Sequence, residues 1–219
     1  MSLILNFETS SKNCSVALST EGKLISNFDL EDDKYRHSEL LTSTIKDILV
    51  QNNISAKDLS AVAIGIGPGS FTGLRIGFSV AKGLCYPHKI NLIGISSLKI
   101  LANSIKADSG DIVSMINDKG NFYYLSTFVD KLNEVGNPIL EQVDPNFIKK
   151  YIKDGSTIVV NSEDSFNYIS TTINDQIKLI NKSISSINMI DLSYESFLEK
   201  RFEDLAYCEP LYIKKPYVN

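Results

Sequence analysis

Histidine is scarce in this chain of 219 residues: His37 and His88 are its only two. No second imidazole follows His37 one helical turn later, where Leu41 stands, so a two-histidine metal site is excluded by counting. No Ser-His-Asp or Cys-His arrangement for nucleophilic catalysis can be assembled from the sequence. Cysteine is also sparse. Cys14, Cys85 and Cys208 are odd in number and widely separated, which excludes a disulfide framework and fits reduced core thiols in a cytosolic protein. No run approaches the roughly 20 apolar residues that span a bilayer, and Met1 to Asn6 lacks a basic segment, so neither a membrane helix nor a signal peptide is expected. Positive charge is short as well. The 22 basic groups are outnumbered by 26 acidic ones, a net charge of −4, and the longest basic clusters are Lys149-Lys150 and Lys214-Lys215. A chain of this kind is not expected to grip nucleic acid by its own surface.

What is present is an ordinary globular composition, 43% hydrophobic and 22% charged, long enough for two lobes with real cores. Leu3 to Glu8, Cys14 to Ser19 and Lys23 to Leu30 read as strands, with a tight turn at Glu21-Gly22. His37 to Gln51 carries Leu41, Ile45, Ile48 and Leu49 at helical spacing. Ala61 to Ile66 reads as a strand, Phe71 to Tyr86 as a helix, Asn91 to Ile95 as a strand and Ser96 to Ile105 as a helix. A polar stretch at residues 106–111 marks a boundary, after which the strand pattern restarts. Ile112 to Ile116 and Phe122 to Val129 flank a hairpin turn at residues 117–121. Pro145 to Lys153 is expected to be helical, Ser156 to Val160 extended, and Tyr194 to Ala206 a late helix. The expected division is a lobe over 1–106 and a second, degenerate copy over 107–219.

The stretch Gly65-Ile66-Gly67-Pro68-Gly69-Ser70-Phe71-Thr72-Gly73 leaves a strand and enters a helix, where backbone N–H groups can cradle an anion. It is neither a P-loop, since Leu74-Arg75 follows Gly73, nor a dinucleotide fingerprint, since its glycines are spaced too wide. Tight packing is the alternative use of these glycines. In the helix that follows, the polar positions Thr72, Arg75, Ser79 and Lys82 fall in one narrow stripe. Apolar or small residues fill the rest, far more than a surface helix needs to cover one core. Either the helix is buried wholly in its own lobe, or it has one face on its sheet and another on a partner, with Gly73 and Gly77 admitting a second helix.

Residues 67–77, with Ala81-Lys82-Gly83-Leu84, closely resemble the signature of the TsaB (YeaZ) family. His37-Ser38-Glu39-Leu40-Leu41, Cys14 to Leu18, Gly94 to Leu98 and Glu209 to Lys214 are similar to its other landmarks, and the likeness is dense over 1–102. The resemblance implies an α/β, actin-like fold of the sugar-kinase and heat-shock-chaperone ATPase superfamily, two lobes each starting with three antiparallel strands. It implies a cytoplasmic, non-catalytic scaffold for the paralogue TsaD, with the ATPase TsaE as third component. That complex forms N6-threonylcarbamoyladenosine beside the tRNA anticodon, tRNA being held only through the complex. No cofactor, metal or catalytic residue is implied for the chain itself, and a homodimer is expected when TsaD is absent. The implied interface is His37, Leu40, Thr44, Phe71, Gly73, Ile76, Gly77, Val80 and Leu84. Three departures bear on chemistry. Glu8 stands where the family usually has Asp, either as a metal ligand or as a structural carboxylate. Ser97 and Leu101 stand where TsaD has its two histidines, and Asn117-Asp118-Lys119 replaces an Asp-Ala-Arg turn. An ATP-dependent phosphotransferase using Glu8 and the glycine turn is the alternative function.

Overall fold

β1 (Leu3–Glu8), β2 (Asn13–Thr20) and β3 (Lys23–Glu31) form an antiparallel meander, and β4 (Ala61–Gly65) and β5 (Asn91–Ile95) extend it in parallel on the far side of β1. The sheet order is β3-β2-β1-β4-β5. Glu21 and Gly22, at φ 48° and 73°, close the β2–β3 hairpin in the left-handed conformation that matches strand twist. The computed structural model describes residues 2–31, 37–105 and 110–214.

Side chains alternate across these strands, and the alternation sorts two faces. Leu3, Leu5, Phe7, Val16, Leu18, Val62 and Ile64 pack against Leu41, Ile45 and Ile48 of α1 (His37–Gln51) and Phe78, Ala81 and Cys85 of α2 (Phe71–His88). Asn6, Ser15 and Ser19 lie at the intervening positions and are also buried. The return segment covers that side: a short 3-10 turn at Ser186–Met189 and α6 (Ile190–Leu198) pack on β1. Ser15 Oγ accepts a 2.7 Å hydrogen bond from the Ser186 amide, and Asn13 Nδ2 donates to the Ile184 carbonyl at 2.9 Å. A serine-rich face is matched by a serine-rich segment, which supplies buried partners to Ser15 Oγ and Asn13 Nδ2.

The second sheet repeats the topology. β6 (Ile112–Lys119), β7 (Phe122–Val129) and β8 (Asn133–Gln142) are the meander, β9 (Thr157–Val160) and β10 (Lys178–Asn181) the parallel extension, in the order β10-β9-β6-β7-β8. α4 (Pro145–Tyr151) and α5 (Glu163–Ser170) supply Ile148 and Ile169 to a core with Val113, Met115, Tyr123 and Ile158. Two α/β lobes, each opening with three antiparallel strands, are therefore present.

The described residues group as 2–100 with Ile184–Leu211, and Leu101–Ser183 with 212–214. The late helix thus packs in the first unit, whereas a sequence division near 107 places it in the second. It also starts earlier than the expected Tyr194, and it ends earlier than the expected Ala206 because Lys200 takes a left-handed φ of 56° just beyond Leu198. α3 is shorter than expected, Ser97–Ala102. The polar stretch at 106–109 lies outside the described residues.

Candidate functional site

β1 ends on Glu8, and the carboxyl group there is completely buried. Its Oε1 accepts hydrogen bonds from the Thr9 amide at 2.7 Å and the Ser10 amide at 2.6 Å. Its Oε2 accepts from Ser97 Oγ, at the start of α3, at 3.0 Å. Burial pushes the carboxyl up from its ordinary range, and the hydrogen bonds to Ser10, Ser97 and Thr9 work against that rise. Gly65, at the end of β4, leaves the room: a Cβ there would overlap the carboxylate. Glu8 is therefore held on every side by its own unit, an arrangement that fits the structural carboxylate rather than a displayed ligand.

The glycine turn is packed just as closely. Gly67 and Gly69 have φ of 97° and 155°, and a Cβ on Gly69 would overlap the Ser10 carbonyl. The Ser70 amide donates to the Ser10 carbonyl at 2.7 Å, and the Leu211 amide donates to the Ile66 carbonyl at 2.8 Å. Ser70 caps α2, its hydroxyl accepting from the Gly73 amide at 3.2 Å. These contacts show the glycines used for close packing against the chain itself.

The surroundings of α2 sort its residues into three groups. Leu74, Phe78, Ala81 and Cys85 are buried in the core, whereas Thr72, Arg75 and Ser79 are exposed and Lys82 is half-buried. The Arg75 guanidinium lies 3.9 Å from the centre of the Phe71 ring, which is itself 48% exposed. Ile76, Val80 and Leu84 form a half-buried apolar row at four-residue spacing. Gly73 and Gly77 do not join it. Both are buried against Thr9, whose hydroxyl donates to the Gly73 carbonyl at 2.8 Å, and a Cβ on Gly77 would stand 2.6 Å from that hydroxyl oxygen. They admit the chain's own β1–β2 turn, not an incoming helix, and this corrects the expectation that they face a partner. Thr44 is only 8% exposed, so it adds little surface either.

Val80 and Leu84 meet Ile45, Leu49 and Ile54 along an apolar groove between α1 and α2, with Val50, 64% exposed, on its rim. Leu40 is half-buried on the same helix pair. The side chain of His37 lies outside the described residues.

The remaining candidates are dispersed. Cys14 and Cys85 are buried, and burial pushes their thiols up to about 11 and about 12, away from thiolate chemistry. His88 is exposed at the end of α2, and Leu101 is buried. Residues 117–119 are the end of β6 rather than part of the hairpin turn, and Asp118 there accepts from Lys214 Nζ at 2.8 Å and from the Tyr124 hydroxyl at 3.1 Å, contacts within its own unit. Among the described residues no three His, Cys, Asp or Glu side chains are gathered as for a metal ion, and no helix is long and apolar enough to cross a membrane.

Similar proteins are known. The family model described as "TsaD: tRNA N6-adenosine threonylcarbamoyltransferase" matches residues 31–213. The tRNA threonylcarbamoyladenosine biosynthesis protein TsaB of Escherichia coli K12 is 36% identical over 107 residues, 49% of this chain and 46% of that protein. The chain thus spans about half the length of the curated relatives it matches. YeaZ from Pseudomonas aeruginosa superposes with a TM-score of 0.83 at 20% identity, over 97% of this chain and 100% of that one. An inorganic polyphosphate/ATP-glucomannokinase from an Arthrobacter strain superposes at 0.56 with 8% identity, over 91% and 100%, a likeness of fold alone.

Proposed function

Because this chain belongs to the TsaD family, among its TsaB (YeaZ) members, we propose that it helps form N6-threonylcarbamoyladenosine in tRNA as the non-catalytic partner of a TsaD-type threonylcarbamoyltransferase. The observation that carries the reading is the α1–α2 face. Phe71, Ile76, Val80, Leu84 and Leu40 present apolar surface beside a groove, on helices whose other sides already fill the core. A face of this kind is more apolar than a solvated helix pair needs to be. The closed surroundings of Glu8 and of the glycine turn support a supporting role over a phosphotransferase one, and nucleotide titration of the isolated chain should give no binding. The net charge of −4 supports tRNA being held by the assembly rather than by this chain. TsaE is the expected third component, a second copy of the chain is the occupant of the face when TsaD is absent, and the setting is the cytosol.

Val80→Glu tests the reading. Carried into a desolvated contact, the new carboxylate costs on the order of 3 kcal/mol or more and weakens binding to TsaD about a hundredfold. Val80 is only half-buried in the free chain, so circular dichroism should still report a folded protein. A folded variant that binds TsaD normally on size-exclusion chromatography removes the α1–α2 face from the proposal.

A further inference from the structure

We infer that the Glu8 carboxyl is a resident ligand, filling from within the chain an oxyanion site built by the Thr9 and Ser10 amides and the Ser97 hydroxyl. In this topology β1, β4 and β5 run parallel, so their carboxyl ends, and the starts of the helices that follow β4 and β5, gather at one edge of the sheet. That edge of an open α/β sheet is where external ligands settle. Here the place is taken by a side chain. Three donors converge on the two oxygens of Glu8 at 2.6–3.0 Å, and they come from two separate parts of the chain, the β1–β2 turn and α3. The arrangement copies what successive amides and a hydroxyl do for a bound carboxylate or phosphate.

The backbone around the carboxyl is shaped to it. Gly65 lies so close that any side chain there would overlap Oε2, and Ser10, which donates one amide to Oε1, also accepts the Ser70 amide through its carbonyl. The carboxyl, packed on Gly65 at the end of β4, thus joins the end of β1 to α3 and, through Ser10, to the cap of α2. In a ligand-binding protein an external oxyanion would supply that link and come and go. In this chain the link is covalent to β1 and permanent. The glycine turn is consequently assembled whether or not any ligand is present, which goes beyond a role in holding a partner.

Chemical rescue tests the inference. Glu8→Ala removes the carboxyl and leaves its three donors facing a small cavity, and the excised group can be returned as formate or acetate. Thermal melts of the full-length variant are recorded against sodium formate and acetate, with sodium chloride at matched ionic strength. The expected result is a saturable rise in melting temperature of several degrees with the carboxylates, absent in chloride and absent in the wild type. If Glu8→Ala is unfolded in chloride, carboxylate should restore its circular dichroism spectrum. Adding Ser97→Ala to the variant should weaken the apparent carboxylate affinity severalfold. A response that is the same in chloride, or no response in either the folded or the unfolded case, overturns the inference.

Discussion

The two sheets share one strand order, yet the same position carries opposite chemistry in each. In the first unit the last β1–β4 pair is Phe7 with Ile64, and the next residue of β1 is Glu8. In the second unit the last β6–β9 pair is Met115 with Val160, and the next residue of β6 is Ile116, 3% exposed. The residues after the neighbouring strand differ accordingly. Gly65 opens a long glycine-rich turn into the eighteen-residue α2, whereas Asn161 leads directly to Ser162, the cap of the eight-residue α5. An apolar side chain can close a strand end by itself, because it needs no hydrogen-bonding partner. A carboxyl can be buried there only if donors are brought to it and bulk is kept away. The glycine turn, the Ser10 contact and the Ser97 hydroxyl are that provision. One topology thus tolerates either filling, and the turn adapts to the choice.

The largest effect should come from Gly65→Ala. Its methyl would overlap the Glu8 carboxyl, and overpacking against this fully buried group should cost about 3 kcal/mol in urea titrations. Asn161→Ala, at the matching point of the second unit, should cost about 0.5 kcal/mol or less. Combined with Glu8→Ala, the Gly65→Ala penalty should shrink, since the methyl then enters vacated space; strict additivity of the two would break the comparison. Of similar size is Ile116→Ala, a cavity in the second core worth about 2–4 kcal/mol.

A smaller effect separates the two strand ends by pH. Burial raises the Glu8 pKa above its ordinary 4.5, so the folded state holds that proton more tightly than the unfolded state. The stability it contributes is full below pH 4.5 and is lost as pH rises through the raised value. Unfolding midpoints of the wild type should therefore fall relative to those of Glu8→Gln over that interval, and parallel curves would show that Glu8 does not titrate differently on folding. The smallest effect belongs to the exposed stripe. Arg75→Ala with Lys82→Ala removes a cation–π contact and a 3.5 Å hydrogen bond to the Ala206 carbonyl, together worth about 1 kcal/mol or less. A large loss of melting temperature would mean that the stripe is buried.

Legibility in the sequence followed the strength of the local pattern. α1 matches its periodic residues from His37 to Gln51, and β5 matches Asn91 to Ile95, because each has apolar residues in regular register between clear breaks. β8 was not legible. Its sequence carries Gly136 and Pro138 among polar residues, which an edge strand accepts at the irregularity opposite Ser126 but a central strand would not. β10, four residues long on the other edge, and the short α5 were missed for want of a period to read. Within the candidate site, the exposed stripe on α2 was visible from 100° spacing alone. The direction of Gly73 and Gly77 was not, since a glycine has no side chain to declare which surface it approaches.

By itself the sequence determined the α/β class of fold, the three-strand opening of the first lobe, the place of the glycine turn and the lack of histidine pairs. These depend on residues close together in the chain or on simple counting. Only the tertiary structure decided what Glu8 and the glycines do. The donors of Glu8 include Ser97, 89 positions away. The segment that covers Ser15 comes from 171 positions away. The surface against which Gly73 packs belongs to Thr9. Burial is a property of what a chain brings together, and a carboxyl next to a turn reads the same in sequence whether it faces a ligand, water or the chain's own amides.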